Sequence, residues 1–141
     1  MADIRERIQA EFENIERALS ELPDADSVPS LSSLELAGVA TLIHSFYNGV
    51  ENVLKQLLIS KDLAIPQSSS WHKDLLQTCV CEGLISESTA KHLGRYLGFR
   101  HFFSHAYSFD LDKTRMIPLV KQIRAAYNSL VKDVQETLEH L

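Results

Sequence analysis

Apolar residues recur along this chain at three- and four-residue steps, the rhythm of a helix face, and the two-residue alternation of strands is absent. Ile4, Ile8, Phe12, Ile15 and Leu19 form one such stripe and predict a first helix over about residues 3–21. Pro23, Asp24 and Pro29 mark a connector. Ser32 and Glu35 then stand at capping-box spacing, where each side chain can take the other's backbone N–H. The second helix runs on to about residue 60, with Leu36, Val39, Ile43, Phe46, Tyr47, Val50, Leu54, Leu57 and Leu58 on its face. At roughly 28 residues it would be about 40 Å long, the spine of a bundle. Pro66 and three serines break the pattern. Ser70 is placed to cap a short helix over 71–81, and Gly83 to stop it. Ser86 opens a fourth helix over about 87–105. A polar turn at Asp110 to Lys113 precedes a last helix from near Thr114 to about Glu139. That helix tolerates Pro118 in its first turn and turns Ile123, Tyr127, Leu130, Val134 and Leu138 inward. The expected fold is all-α, an antiparallel bundle of four or five helices, with residues 1–141 as one domain.

Composition agrees. A chain of 141 residues with 45% hydrophobic content can bury a core without disulfides or structural metal. Its longest apolar runs, such as 36–43, are too short to span a bilayer. The N-terminal residues lack the apolar core of a signal peptide, so the expected compartment is the cytoplasm. There Cys79 and Cys81 read as reduced, buried thiols; two apart on a helix, they point to opposite sides and make no chelating pair. A net charge of −5 argues against a protein that coats nucleic acid with its whole surface. The charge is uneven, however. No acidic residue lies between Glu87 and Asp110, a stretch holding Lys91, Arg95 and Arg100 with His92, His101 and His105. A basic strip on an acidic body fits a site for one phosphate or a short RNA segment. A helix that is basic without further consequence is the plain alternative.

The end of that strip carries the chemistry. Arg100 is followed by four residues, then His105, Ala106 and Tyr107, with His101 directly after the arginine. Histidine exchanges protons near neutral pH, and the planar arginine fork matches phosphate oxygens and a phosphorane's extra charge. Together they suit metal-independent RNA cleavage by the neighbouring 2′-hydroxyl, a group DNA lacks. His105 is the expected acid–base group, Arg100 the phosphate and transition-state clamp, and His101 a positioning or proton-sharing residue. Five residues along a straight helix turn direction by roughly 140°. Arg100 and His105 of one chain would therefore share a face only if the helix loosened before His105, or a second subunit would have to complete the site.

This arrangement resembles the HEPN superfamily, marked by Arg, four to six residues and His. It is most similar to the HepT-like toxins, whose version adds one residue and a Tyr. Tyr47 to Glu51 on the second helix, Trp71 to Lys73 opening the third, and Asp110 to Asp112 after the motif look family-like too, so the resemblance covers most of the chain. It implies a toxin ribonuclease that forms a homodimer, with the two motifs meeting in a shared cleft. It also implies a cognate nucleotidyltransferase antitoxin of the MNT type, which transfers AMP to the motif tyrosine, here Tyr107. Nucleotide phosphates there would place bulk and negative charge beside Arg100 and block RNA. The partner would need ATP and magnesium. No cofactor is expected in this chain itself, whose glycines, Gly38, Gly49, Gly83, Gly94 and Gly98, form no phosphate-cradling loop.

Other readings stay open on residues alone. Arg100 and His105 could be a structural pair at a helix end, with His105 capping carbonyls. Tyr107 could be a core or loop tyrosine. Arg95 and His101 also satisfy the loose Arg-to-His spacing. His101 and His105, four apart, have a metal-chelating separation but no carboxylate beside them in sequence. Phe99, Phe102, Phe103 and Phe109 could stack on bases, though burial of at least Phe99 and Phe103 is expected. His44, His72, His92 and His140 read as structural or solvated. Glu51, on a mostly apolar face, reads as a buried partner of Arg100 or Arg95. The competing function is a non-catalytic helical accessory subunit of a nucleotidyltransferase.

Overall fold

The computed structural model describes residues 3–105 and 110–141. Five α-helices carry the fold: α1 (Ile4–Ser20), α2 (Ser33–Ser60), α3 (Trp71–Cys81), α4 (Glu87–His105) and α5 (Lys113–Glu139). Helix α2 is the spine, packing against each of the other four. Helix α4 also packs on α3 and α5, and α5 closes against α1. Among the described residues there is no strand, so the architecture is the expected all-α bundle. One hydrophobic cluster draws on every helix, from Ile8 and Phe12 of α1 through Ile43, Phe46 and Leu54 of α2 to Leu93, Ile123 and Leu130.

Local chemistry fixes the helix boundaries. The capping box forms as its spacing predicts: Glu35 N–H donates to Ser32 Oγ (3.1 Å), and Ser32 N–H donates to the Glu35 carboxylate (2.9 Å). The bond from the Ser32 backbone N–H to the carboxylate, and after it the Ser32 hydroxyl, favour the ionised carboxyl and hold the Glu35 pKa below its usual value. Ser86 accepts the N–H of Thr89 at the head of α4, and Asp112 that of Thr114 at the head of α5. Gly83 ends α3 at φ +71°, with Gly83 N–H donating to the Val80 carbonyl and Leu84 N–H to that of Cys79.

Four expectations need correction. Ser70 does not cap α3 with its side chain; its hydroxyl and that of Ser68 donate instead to the Asp74 carboxylate, at 3.1 and 2.6 Å. The connector after α1 is itself a 3-10 helix, Ala25–Ser30, because Val28 is buried and holds the turn onto the core. Cys79 is buried, which pushes its thiol up to about 12, but Cys81 is exposed on the opposite side of α3. Phe103 is only half-buried, whereas Phe99 is buried as expected.

Candidate functional site

Helix α4 sorts its chemistry onto two faces. Thr89, Leu93 and Tyr96 are buried at steps of four and three, and Arg100 continues the same stripe four residues on. The arginine therefore enters the bundle rather than solvent, retaining a quarter of its side-chain exposure. Gly98, His101 and His105 lie at steps of three and four on another stripe, facing out. The helix continues unbroken through His105, so it does not loosen to bring His105 round to Arg100. Within one chain the two motif residues stay on different faces.

On the inner face, Arg100 meets a polar cluster buried between α2, α3 and α4. Glu51, only 2% exposed, sits at its centre. One carboxylate oxygen accepts the Nδ1–H of His72 at 2.6 Å. The other lies 3.9 Å from Arg100 Nε, an ion contact too long for a hydrogen bond. His72 is held from behind by Trp71, ring centroids 3.6 Å apart, and Lys55 lies over the same indole at 4.3 Å. Tyr47 and His44 stand one and two turns before Glu51 on α2. Burial pushes the Tyr47 phenol well above its usual range, and the Glu51 charge adds to this. Burial pulls His44 below its usual value, and the Arg100 charge adds to this against the opposing pull of Glu51. The His44 ring also tilts against Phe103 at 5.3 Å.

On the outer face, His101 and His105 have ring centroids 5.0 Å apart. They line a cleft of about 490 Å³ with Gly98, Phe102, Asp110 and Arg115. His105 Nδ1 lies 2.9 Å from the His101 carbonyl. A carbonyl only accepts, so Nδ1 carries the proton and, in the neutral ring, Nε2 keeps its lone pair. The contact is a helix-end cap and a tautomer lock at once. A larger cavity of about 610 Å³ lies where α2, α3 and α5 end, lined by Lys61, Glu82, Asp133 and His140 among others, and none of the motif residues reach it.

The structure divides the remaining sequence readings. Arg95 is exposed and its guanidinium donates to Gln122 of α5, and it is not among the residues that line the cleft. Glu51 pairs with Arg100, one of its two expected partners. Tyr107 and Phe109 lie outside the described residues. Among the described residues no group of three or more His, Cys, Asp and Glu side chains is gathered to hold a metal ion. His44 and His72, which read as structural or solvated in the sequence, stand beside the motif arginine, and Arg115 carries no sequence signal. The spacing of His44, Tyr47 and Glu51, three then four, already places them on one face of α2 and is the signal that marks them. Nothing comparable marks Arg115, which reaches the cleft only through the way α5 packs on α4.

No match is found among curated proteins or among solved structures. A family model described as HepT-like protein matches residues 38–141, taking in nearly all of α2 and the whole of α3, α4 and α5. That span holds the inner cluster and the outer cleft alike. The chain therefore belongs to the HepT-like proteins of the HEPN superfamily.

Proposed function

We propose that this protein is the toxin of a HEPN/MNT toxin–antitoxin pair, a metal-independent endoribonuclease working in the cytoplasm. The observation that carries the reading is the locked tautomer of His105. A neutral imidazole with Nδ1–H committed to the His101 carbonyl offers Nε2 as a base at the mouth of a cleft. In the proposed reaction Nε2 takes the proton of a ribose 2′-hydroxyl. The 2′-oxygen bonds to the adjacent phosphorus, the bond from phosphorus to the 5′-oxygen breaks, and that oxygen receives a proton from an imidazolium. The products are a 2′,3′-cyclic phosphate and a 5′-hydroxyl. The second imidazole, His101, is close enough to share proton transfer.

Arg100 is the clamp for the pentacoordinate phosphorane. Because it lies roughly 140° around α4 from His105, a complete site takes Arg100 from one subunit and His105 from another, in a homodimer with a shared cleft. Glu51 and His72 hold the arginine from inside the bundle. The cognate MNT-type antitoxin silences the site by transferring AMP to Tyr107, two residues beyond His105, where added phosphates compete with RNA for the arginines. Among the described residues no helix is long and apolar enough to cross a membrane.

The test is cleavage of a generic RNA in EDTA by wild type and by His105→Ala, with helical content checked by circular dichroism. The expected outcome is cutting by wild type and a loss of about 100-fold or more in the variant. A variant that cuts as well as wild type sinks the assignment. So does an inactive wild type whose intact mass carries no added AMP, and that result favours the accessory-subunit reading.

A further inference from the structure

We propose that Arg115 holds an RNA phosphate against His101 and His105, making the outward cleft of α4 a phosphate-binding subsite distinct from Arg100. The substrate class rests on the ribonuclease reading; the site itself rests on the packing of α4 against α5. In one chain Arg100 is turned into the bundle towards Glu51, so it is not the cation beside His105. Arg115, in the first turn of α5, is: it lines the cleft with both imidazoles.

Three features make this a place for a phosphate rather than an incidental surface arginine. The Arg115 guanidinium lies over the Phe102 ring, 5.0 Å from its centroid. Stacking restrains the guanidinium while its N–H groups remain donors in the guanidinium plane, the geometry that grips phosphate oxygens in pairs. Gly98 leaves the cleft floor open: beyond the helix's own backbone and the adjoining residues, no heavy atom of the described residues comes within 4 Å of where a Cβ would stand, so a ligand can approach α4 there. Among the described residues the lining sets Arg115 and the polar nitrogens of two imidazoles in one cleft, so an anion held by the arginine has the histidine rings as its neighbours.

The subsite divides labour with the proposed clamp. A cation that holds the phosphate equally before and during reaction acts on KM, whereas one that meets the phosphorane's extra charge acts on kcat. Arg115→Gln is expected to raise KM about tenfold and leave kcat within a factor of about three, the size expected for one charge-assisted phosphate contact.

A binding measurement separates this inference from the cleavage reading. The histidine ring C–H resonances of the full chain are followed as inorganic phosphate, then a short 2′-deoxy oligonucleotide that cannot be cut, is added. In wild type the His101 and His105 resonances are expected to shift and saturate. Arg115→Gln should weaken both titrations about tenfold, and Arg115→Lys should recover part of the loss. Arg115 is exposed, and unchanged circular dichroism would show that the fold is kept. Equal affinity in wild type and Arg115→Gln, or no shift of either histidine in wild type, overturns the subsite. Arg115-dependent binding in a protein that cuts no RNA supports the subsite while the ribonuclease reading fails. Cleavage that is indifferent to Arg115 overturns the subsite and leaves the ribonuclease reading standing.

Discussion

Burying a carboxylate is costly unless the charge is matched, and Glu51 is matched from two helices at once. His72 takes one oxygen with a short hydrogen bond and Arg100 approaches the other, its buried Nε having no hydrogen-bond partner among the described residues. This asymmetry suits an arginine that is aimed rather than saturated: Glu51 fixes where the guanidinium sits without satisfying it. Glu51→Gln keeps the volume and removes the charge, so two effects are expected. Stability should fall by about 1–3 kcal/mol, read as a lower urea midpoint, because Arg100 and His72 lose a charged acceptor. RNA cleavage should fall roughly tenfold even at temperatures where the variant is fully folded, with Glu51→Asp recovering part of it. A folded Glu51→Gln protein with wild-type activity would reduce Glu51 to a structural counter-ion. His44 and Tyr47 join this network by position alone, one face of α2 presenting three polar groups to one arginine.

Helix ends decide where the cluster and the cleft can form, because they set the register of α3 and α4 against α2. Two of those ends use the same left-handed device with different residues. After α3, Gly83 takes φ +71°. After α2, Asp62 takes φ 57°, with Asp62 N–H donating to the Ile59 carbonyl and Leu63 N–H to that of Leu58. An L-residue with a Cβ is penalised in that conformation by roughly 1–2 kcal/mol. Space is no obstacle at Gly83, since apart from its chain neighbours none of the described residues comes within 4 Å of where an alanine methyl would stand, so the cost of a substitution there is conformational. Gly83→Ala is accordingly expected to lose about 1 kcal/mol in chemical denaturation. No measurable loss would mean that Leu84 and Ile85, buried just beyond, hold the turn by packing alone. Gly49 works differently: a Cβ there would stand 2.5 Å from Ile15 Cγ1, so this glycine is what lets α1 lie close on α2.

At the scale of the whole molecule, the two-faced α4 makes the proposed ribonuclease depend on assembly. Arg100→Ala and His105→Ala subunits should each be inactive alone. If a site takes its arginine from one subunit and its histidine from the other, a mixed dimer holds one intact site and one doubly damaged site. Mixing equal amounts, with time for subunit exchange, is then expected to restore roughly a quarter of wild-type cleavage, since half the dimers are mixed and each has one of two sites. Failure to recover activity, with exchange verified by native mass spectrometry, would place Arg100 and His105 in the same subunit's site or outside catalysis.

The sequence by itself determined what depends on neighbours a turn or two away. The 3.6-residue stripes of α1, α2 and α5, the Ser32–Glu35 box and the Gly83 stop follow from local sterics and hydrogen bonding, and α3 and α4 fall on the residues their punctuation predicts. The roughly 140° between Arg100 and His105 is equally legible, being helix geometry. One failure is local, and the others are of longer reach. Ser70 is lost to a competing carboxylate at Asp74, and Cys81 lies on the exposed side of α3, while Phe103 is left half-covered beside His44. Which of Arg95 and Arg100 meets Glu51, and that Arg115 joins His101 and His105 in one cleft, only the tertiary structure decided. Those contacts join residues far apart in the chain, and their geometry is set by how whole helices pack, which no local spacing encodes.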